Sequence, residues 1–526
     1  MIDSFEVRMT KSNLALAPTT IDGFEGARMK LEDIIKALTN PNGSQLSADG
    51  IEGLVLEDGQ ELLRQVIQAA IDARSASETR EESVTGADGV VRNHVRSRTR
   101  SLMTTVGPVD VERLAYSARG SDSVMPLDEQ LALPEHLYSF KVRRRIAEYA
   151  AEMSFGKARR FSDSMGLPIP QRQTEELAAR AARDFAEFYR TRATTPSTME
   201  DVLVLSFDGK GIAMRKEALR PATKKAAEQR KPRLDKRRSK GEPANLKRMA
   251  EVGTVYDVGS FPRTAADVVF ELHKRGPKPS TPRPRARNKR VWASIERSTV
   301  EVVFEGFQEA LRRDPERRRC WVALVDGNED QLDSVQRCAK KFGVEVIVIL
   351  DVIHVLEYLW KAGLDFNDEG SKELETWVEE RFLHILDGRA SDVAGGIHRS
   401  ATKRGLTKSA RRNADACAQY LINHAAYLTY DLALKAGLPI ATGVIEGACR
   451  SLVQDRMGIA GARWGVKGAE AVLKLRAIMA SGDFDEYWEF HLKQEQTRVY
   501  GDEESSPKKS PSRLRLVKPD SSSSSS

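Results

Sequence analysis

This sequence has no Cys-x-x-Cys pair, no long apolar run and no apolar segment in its opening residues of the kind found in signal peptides. Its four cysteines are scattered and form no Cys-x-x-Cys pair: Cys320, Cys338, Cys417 and Cys449. This spacing argues against a disulfide or zinc framework and predicts small buried side chains in a reducing compartment. No apolar run approaches the roughly 18 residues that a membrane span needs. The opening MIDSFEVRMTKSNLALAP lacks the apolar core of a signal peptide, so a cytoplasmic, nucleoid-associated protein without membrane contact is expected.

Positive charges only slightly outnumber negative charges, but the positive charges are unevenly distributed along the chain. The formal net charge is +7 over 526 residues, a length that implies several domains. Residues 216–248 hold 13 Lys or Arg against four Asp or Glu, and residues 277–290 form a second basic, Pro-rich segment. This distribution favours a polyanionic partner such as DNA. Solvated surface loops are the alternative for both segments.

The patterns along the chain predict a multidomain α/β protein with all-α parts. Strands with β-branched residues flank Gly107-Pro108, and three helical segments follow. Three short helices with tight connections fit a helix-turn-helix module, although an ordinary three-helix unit fits as well. The predicted divisions are an N-terminal helical region (1–80), a β-hairpin with a DNA-binding helical region (95–195), a first core segment (200–360), an all-helical insertion (361–438), C-terminal core helices (439–495) and a disordered tail (501–526).

The core segment begins with three predicted strands, VLVLSFD, KGIAMR and EVGTVYDVGSF. Asp208-Gly209 lies between the first two, and Asp-Gly between β-like runs is a strong hairpin signal. A helix is predicted over residues 292–313. The following CWVALVDGNEDQLDSVQRCAKKFGVEVIVILDVIHVLEYLW alternates strand, helix, strand and helix, which is typical of parallel strands.

Three acids lie at element boundaries, and each precedes a glycine: Asp208, Asp326 and Glu446. An acid at the carboxyl end of a central strand faces the crevice where such sheets bind ligands. Carboxylate oxygens suit Mg²⁺ or Mn²⁺, and two ions would clamp the attacking and leaving oxygens of a phosphodiester. The alternative is structural, since Asp-Gly is common in turns and Glu is common near helix starts.

Asp351 and His354 form a second polar group, at the end of the apolar strand VEVIVIL. Both side chains can face the same crevice, where they would support the ions or the DNA backbone. Alternatively, Asp351 caps the next helix and His354 has a structural partner.

Six stretches between about residues 200 and 480 resemble bacterial insertion-sequence transposases of the ISKra type, which are related to the Mutator-like group. They are SFDGKGIAMR, KRMAEVGTVYDV, WVALVDGNEDQLDSVQ, VIVILDVIHVLEYLW, TGVIEGACRSLVQDRM and GARWGVKGAEAVLKLRA. The resemblance implies an RNase H-like core with a large helical insertion, in which Asp208, Asp326 and Glu446 are the catalytic acids that bind two Mg²⁺ or Mn²⁺ ions. Asp351 and His354 match an Asp/Cys-x-x-His signature of the wider group, and Trp464 falls in its Arg-Trp element. Relatives often carry a cysteine-rich zinc ribbon near the β-hairpin, which this sequence lacks, so no metal site is predicted there.

A DDE transposase of this kind would bind double-stranded DNA, both the element's terminal repeats and the target, as a homodimer or higher oligomer. An RNase H-like nuclease or resolvase, and a decayed terminal-repeat binding protein, are the alternatives. The cations assigned to DNA are Lys224, Lys225, Arg230, Lys231, Arg233, Lys236, Arg237, Arg238, Lys240, Arg450 and Arg463.

Overall fold

The computed structural model describes residues 21–194, 198–229, 246–273 and 282–501. The chain forms two compact units, so it is a multidomain α/β protein as predicted. The first unit holds the described residues up to 145 together with 159–170 and 492–501, and the second holds 146–158 and 171–491. Among the described residues, no helix combines the length and apolar character needed to cross a bilayer. The predicted tail falls outside the described residues, apart from its first residue.

The first unit combines helices with a three-stranded antiparallel sheet. The predicted strands around Gly107-Pro108 are confirmed as a hairpin, and the chain reverses between Thr104 and Gly107, which face each other in the ladder. Alternate residues of the second hairpin strand are buried, as expected for a sheet with one covered face. Its elements, some of which continue into the second unit, are α1 (Glu25–Thr39), α2 (Ala48–Ala76), β1 (Val84–Thr85), β2 (Val91–Arg92), β3 (His94–Thr104), β4 (Gly107–Ala118), β5 (Ser121–Val124), α3 (Pro126–Gln130), α4 (Phe140–Glu152) and α5 (Phe155–Ser164).

The second unit is built on a mixed five-stranded sheet. Its strands are β6 (Val202–Ala213), β7 (Lys247–Val258), β8 (Arg287–Ser294), β9 (Trp321–Val325) and β10 (Val346–Leu350). Their order in the sheet is β10-β9-β6-β7-β8. The parallel pairing predicted for the two later strands is confirmed, because β10 pairs with β9 and β9 with β6 in parallel. The pairs β6–β7 and β7–β8 are antiparallel.

Two sequence predictions in this sheet are wrong. Asp208-Gly209 is not a hairpin turn: β6 continues through it to Ala213, and Asp208 faces Val252 of β7. The basic segment therefore follows the first strand of the sheet, not the second. The helix predicted over 292–313 begins only at Thr299, because residues 287–294 form the edge strand β8.

Helices cover the sheet and form the predicted helical insertion. They are α6 (Gln171–Ala181), α7 (Phe185–Thr191), α8 (Pro221–Glu228), α9 (Ala265–His273), α10 (Thr299–Arg313), α11 (Glu329–Phe342), α12 (Val352–Gly363), α13 (Lys372–Leu386), α14 (Ala390–Lys403), α15 (Arg412–Asn423), α16 (Tyr430–Lys435), α17 (Gly443–Ala448), a π-helix (Cys449–Gln454), α18 (Asp455–Met457), α19 (Val466–Ser481) and α20 (Phe484–Tyr500), the last of which extends into the first unit. The segment predicted to be all-helical contains α13 to α16 and no strand in its described residues. The three helices predicted as a helix-turn-helix are α4, α5 and a third that is divided into α6 and α7, and the two compact units share them.

A buried ion-pair network closes one end of the sheet. The Arg319 guanidinium donates to Asp257 Oδ1 at 2.6 Å and to the Asp201 carbonyl at 3.1 Å. Asp257 is fully buried and also accepts from Asn288 Nδ2 at 2.9 Å. Because buried charges are costly unless paired, this network fixes the start of β6 against β9.

Candidate functional site

The first two predicted acids occupy corresponding positions along two neighbouring strands, one within its strand and the other just after it. The parallel pairing of β6 with β9 ends at Ser206 opposite Leu324, and two further residues along each chain are Asp208 and Asp326. Paired residues of parallel strands project from the same face, and neighbouring strands lie about 4.8 Å apart. This register places Asp208, within β6, and Asp326, just after β9, at the same level of the sheet.

Backbone geometry fixes the position of Asp326. Its Oδ1 accepts the Asn328 N–H at 2.9 Å, and its carbonyl accepts the Tyr420 hydroxyl at 3.0 Å. Gly327 has φ +91°, and a Cβ there would lie 3.0 Å from the Tyr420 hydroxyl. Glycine is thus required by both conformation and space.

Asp208 contacts the segment that carries the third acid. Its Oδ1 accepts the Gly209 N–H at 2.6 Å, and its Oδ2 accepts the Cys449 thiol at 3.1 Å. Cys449 is buried, and burial together with the Asp208 carboxylate raises the pKa of its thiol well above the ordinary value. The sulfur therefore stays protonated and serves as a hydrogen-bond donor.

Glu446 precedes Cys449 by three residues, so the two side chains share one face of the helical segment. Glu446 is exposed, yet partial burial and the neighbouring Asp351 and Asp208 carboxylates raise its pKa. The hydrogen bond from Cys449 to Asp208 places this face of the helical segment beside β6.

Asp351 caps α12 and also holds the chain before Glu446. One of its oxygens accepts the Ile353 N–H at 3.2 Å, as the N-cap alternative predicts. Its Oδ2 accepts the Thr442 hydroxyl at 2.6 Å, and the Thr442 N–H donates at 3.2 Å to Oδ1, the oxygen that also accepts the Ile353 N–H. Burial raises the pKa of Asp351, and the Thr442 hydrogen bonds act against the rise. His354 lies at the edge of the Tyr358 ring, with a centroid distance of 6.1 Å.

The helix that carries Glu446 continues into a wider π-turn at Cys449–Gln454. The Arg476 Nε donates to the Ser451 carbonyl at 2.8 Å, so a buried guanidinium satisfies an oxygen of this irregular turn. Such turns are frequent at functional sites.

Two polar neighbours of Asp208 were missed by the sequence reasoning. Cys449 carries no sequence signal of its role, because its partner is 241 residues away. Glu251 faces Gly209 across the β6–β7 ladder. Burial raises the pKa of Glu251, and Asp208 adds to the rise. An acid near the start of the predicted strand EVGTVYDVGSF was the available signal.

The donor set suits divalent cations, since it consists of carboxylate oxygens whose mutual repulsion a cation would relieve. The oxygens of Asp208, Asp326 and Glu446 do not all lie within 4.8 Å of one another, so they form no closed cage for a single ion. Two ions about 3.5–4 Å apart, each about 2.1 Å from its ligands, allow ligand oxygens to spread over roughly 8 Å. A shared pair of ions would require the three acids to lie within that span.

The predicted DNA-binding cations are described only in part. Lys224 and Lys225 are exposed on α8, and Arg463 is exposed beside Trp464. Arg450 is exposed and lies 3.8 Å from Asp455. The remaining members fall outside the described residues: Arg230, Lys231, Arg233, Lys236, Arg237, Arg238 and Lys240.

No protein-family model matches this sequence, and no curated protein is significantly similar to it.

Proposed function

We propose that this protein is a DDE transposase with an RNase H-like core, which binds the terminal repeats of its element, cuts the DNA there and joins the ends to target DNA. The observation that carries the proposal is the contact between the strand that bears Asp208 and the helical segment that bears Glu446, beside a neighbouring strand that Asp326 follows. Asp208 lies on the first strand of the mixed sheet and Asp326 directly follows the fourth. Glu446 follows the helical insertion and approaches Asp208 through Cys449.

These acids suit phosphodiester chemistry. Asp208, Asp326 and Glu446 would hold Mg²⁺ or Mn²⁺ ions, which activate the attacking oxygen and stabilise the leaving one. The protein's own contribution is positioning. Cys449 and the Gly209 N–H orient the Asp208 carboxylate. Asp351 holds Thr442, and so the start of the helix that carries Glu446.

The test uses DNA from both flanks of the protein's own gene, labelled and incubated with the full chain and Mg²⁺ or Mn²⁺. A transposase gives strand cuts at the element ends and joined products with a target plasmid. A nuclease gives cuts without joining, and a decayed binding protein gives only a mobility shift. The absence of cutting and joining with either ion would contradict the proposal.

A first prediction concerns the cations at the start of the basic segment. Replacing Lys224 and Lys225 with Ala should weaken DNA binding to a similar degree for all sequences. Each lost phosphate contact lowers the salt dependence of log K by about 0.9, so the slope should fall by up to about 2. Fluorescence anisotropy at several salt concentrations measures both quantities.

The matched control replaces Lys403 and Lys408, two exposed lysines of the helical insertion, and keeps the same net charge. An equal loss of slope in both double variants would show a general charge effect and remove α8 from the DNA interface.

A second prediction concerns metal and pH. Because folding raises the pKa of Glu446, its contribution to stability is complete below the unfolded pKa and is lost as the pH rises through the folded pKa. A bound cation reverses this loss, and protons compete with it. Mn²⁺ should therefore raise the melting temperature more at pH 8 than at pH 5, with about 2.7 kcal/mol of stabilisation at 100 times its dissociation constant.

Differential scanning fluorimetry with Mn²⁺, and with EDTA as the metal-free reference, measures this difference. The Glu446→Gln variant should show a smaller metal-induced shift and a weaker pH dependence of that shift. A metal effect that is identical in the variant would exclude Glu446 as a ligand.

A further inference from the structure

A cavity of about 600 Å³ opens at the start of α19. It lies just past the end of β6, several residues along the chain from Asp208. Met214 and Trp464 pair in parallel just past the end of β6, and this pairing brings the loop before α19 beside the strand. The cavity is lined by aromatic rings, glycines and cations, among them Phe155, Arg215, Arg456, Arg463, Trp464 and Lys467.

The N-terminus of α19 faces this cavity without a side-chain cap. Gly465 is the N-cap residue, and the first helical hydrogen bond runs from the Ala469 N–H to its carbonyl. The N–H groups of the first turn therefore lack partners within the helix. No atom lies within 4 Å of a Cβ built at Gly465 or Gly468, so the space before these groups is open.

Arg456 supplies an independent sign of an anion site. Its side chain lines the cavity, is only 2% exposed, and donates from Nε to the Ala150 carbonyl at 3.1 Å. Its Nη2 is buried without a hydrogen-bond partner. The guanidinium lies 4.8 Å from the Trp464 ring centroid and 5.2 Å from that of Phe155. Burial lowers the pKa of Arg456 to about 10, and the nearby Arg476 contributes to this, so the site favours a negative charge.

The rim of the cavity is also cationic. Arg215, Arg463 and Lys467 are exposed there, against two carboxylates, Glu175 and Glu217. With Arg456, four cations oppose two anions. A helix N-terminus, unpartnered guanidinium N–H groups and a basic rim are the groups that proteins use to bind phosphate.

We propose that this cavity is a phosphate-binding site, which takes either a DNA backbone phosphodiester or a free phosphate. Arg215 follows Asp208 by seven residues in sequence, which is about 23 Å of extended chain. DNA rises about 3.4 Å per nucleotide on one strand, so the cavity would receive a phosphate about seven nucleotides from the cut. This DNA role depends on the proposed function, whereas phosphate binding does not.

Two variants that differ in one charge test the site in the full chain. Gly465→Asp places a carboxylate where the phosphate would bind, and Gly465→Asn has the same shape without the charge. Both residues are good helix caps, so the fold is retained. Gly465→Asp should abolish the rise in melting temperature caused by inorganic phosphate and weaken DNA binding about 10- to 100-fold, as expected for lost hydrogen bonds to a charged group. Gly465→Asn also caps first-turn N–H groups but adds no charge, so it should lose clearly less of both properties than Gly465→Asp.

The source of the phosphate is distinguished with DNA in which single phosphates are replaced by uncharged methylphosphonates. The site is assigned to DNA if a methylphosphonate at one position, about seven nucleotides from the cut, weakens DNA binding by the wild-type protein but not by Gly465→Asp. A phosphate-induced shift without any sensitive DNA position assigns it to free phosphate. If Gly465→Asp matches the wild-type protein with both probes, the inference is overturned. Cleavage is scored separately, so a protein that binds phosphate but cuts no DNA contradicts only the proposed function.

Discussion

Replacing Asp208 or Asp326 with Asn, or Glu446 with Gln, is expected to abolish DNA cleavage and leave DNA binding nearly unchanged. Each substitution keeps the side-chain shape and removes the negative charge that would hold a metal ion. Metal ions contribute several kcal/mol to such reactions, so cleavage should fall by about 10³-fold or more. Binding depends on phosphate contacts elsewhere and should persist. Cleavage of labelled flanking DNA with Mn²⁺, together with anisotropy, measures both effects.

Asp392→Asn is the control, because Asp392 is an exposed acid of the helical insertion. It should cut at the wild-type rate. A variant of any of the three acids that cuts at a near wild-type rate would remove that acid from the site. If circular dichroism shows that one variant has lost its fold as well as its cleavage, the variants of the other two acids decide the test.

The second large effect is expected from Arg319→Met, which should lower the free energy of unfolding by about 3 kcal/mol. The substitution keeps much of the apolar stem but leaves the fully buried Asp257 without the 2.6 Å hydrogen bond from Arg319. Breaking a buried ion pair from one side costs about 3–5 kcal/mol, and the contacts of Asp257 with Asn288 and, at 3.7 Å, with Arg313 place this case at the lower end.

Arg318→Met is the matched control, since the neighbouring Arg318 side chain is 70% exposed and pairs only with Glu316 among the described contacts of its guanidinium. It should change stability by less than about 1 kcal/mol. Because the chain has two units, hydrogen exchange of the central sheet is a better measure than a single melting curve. Equal protection of the sheet in both variants would contradict the role of Arg319.

The later half of the sheet could be predicted from the sequence, because VALV and VIVIL are short apolar runs that each precede an amphipathic helix. The start of the sheet could not. Asp208-Gly209 favours a turn locally, but β6 and β7 form a continuous ladder from Val202 to Ala213. The pairing over the whole strand outweighs the preference of two residues, since strand propensity depends strongly on context. The same applies to residues 292–294, whose pairing with β7 fixes them as a strand.

The elements that carry Asp326 and Glu446 could also be read from the sequence, but the contacts that position the acids could not. Cys449 meets Asp208 and Thr442 meets Asp351 only because the helical insertion returns the chain to the sheet. The unpartnered Nη2 of the buried Arg456 has no local signal either, since an arginine in a polar stretch is usually solvated. Such contacts depend on distant packing, which periodicity does not report.

The π-turn at Cys449–Gln454 lets the two halves of one helix direct their side chains to different sides of the helix axis. One extra residue in a turn rotates the side chains that precede it by about 100° around the helix axis, relative to the side chains that follow it. The face that carries Glu446 and Cys449 can therefore point at Asp208 while Leu452, Val453 and Met457 remain in the core. A regular helix of this length could not both bury its apolar side chains in the core and direct Glu446 at the sheet. The wider turn allows both, and Arg476 stabilises this turn through its hydrogen bond to the Ser451 carbonyl.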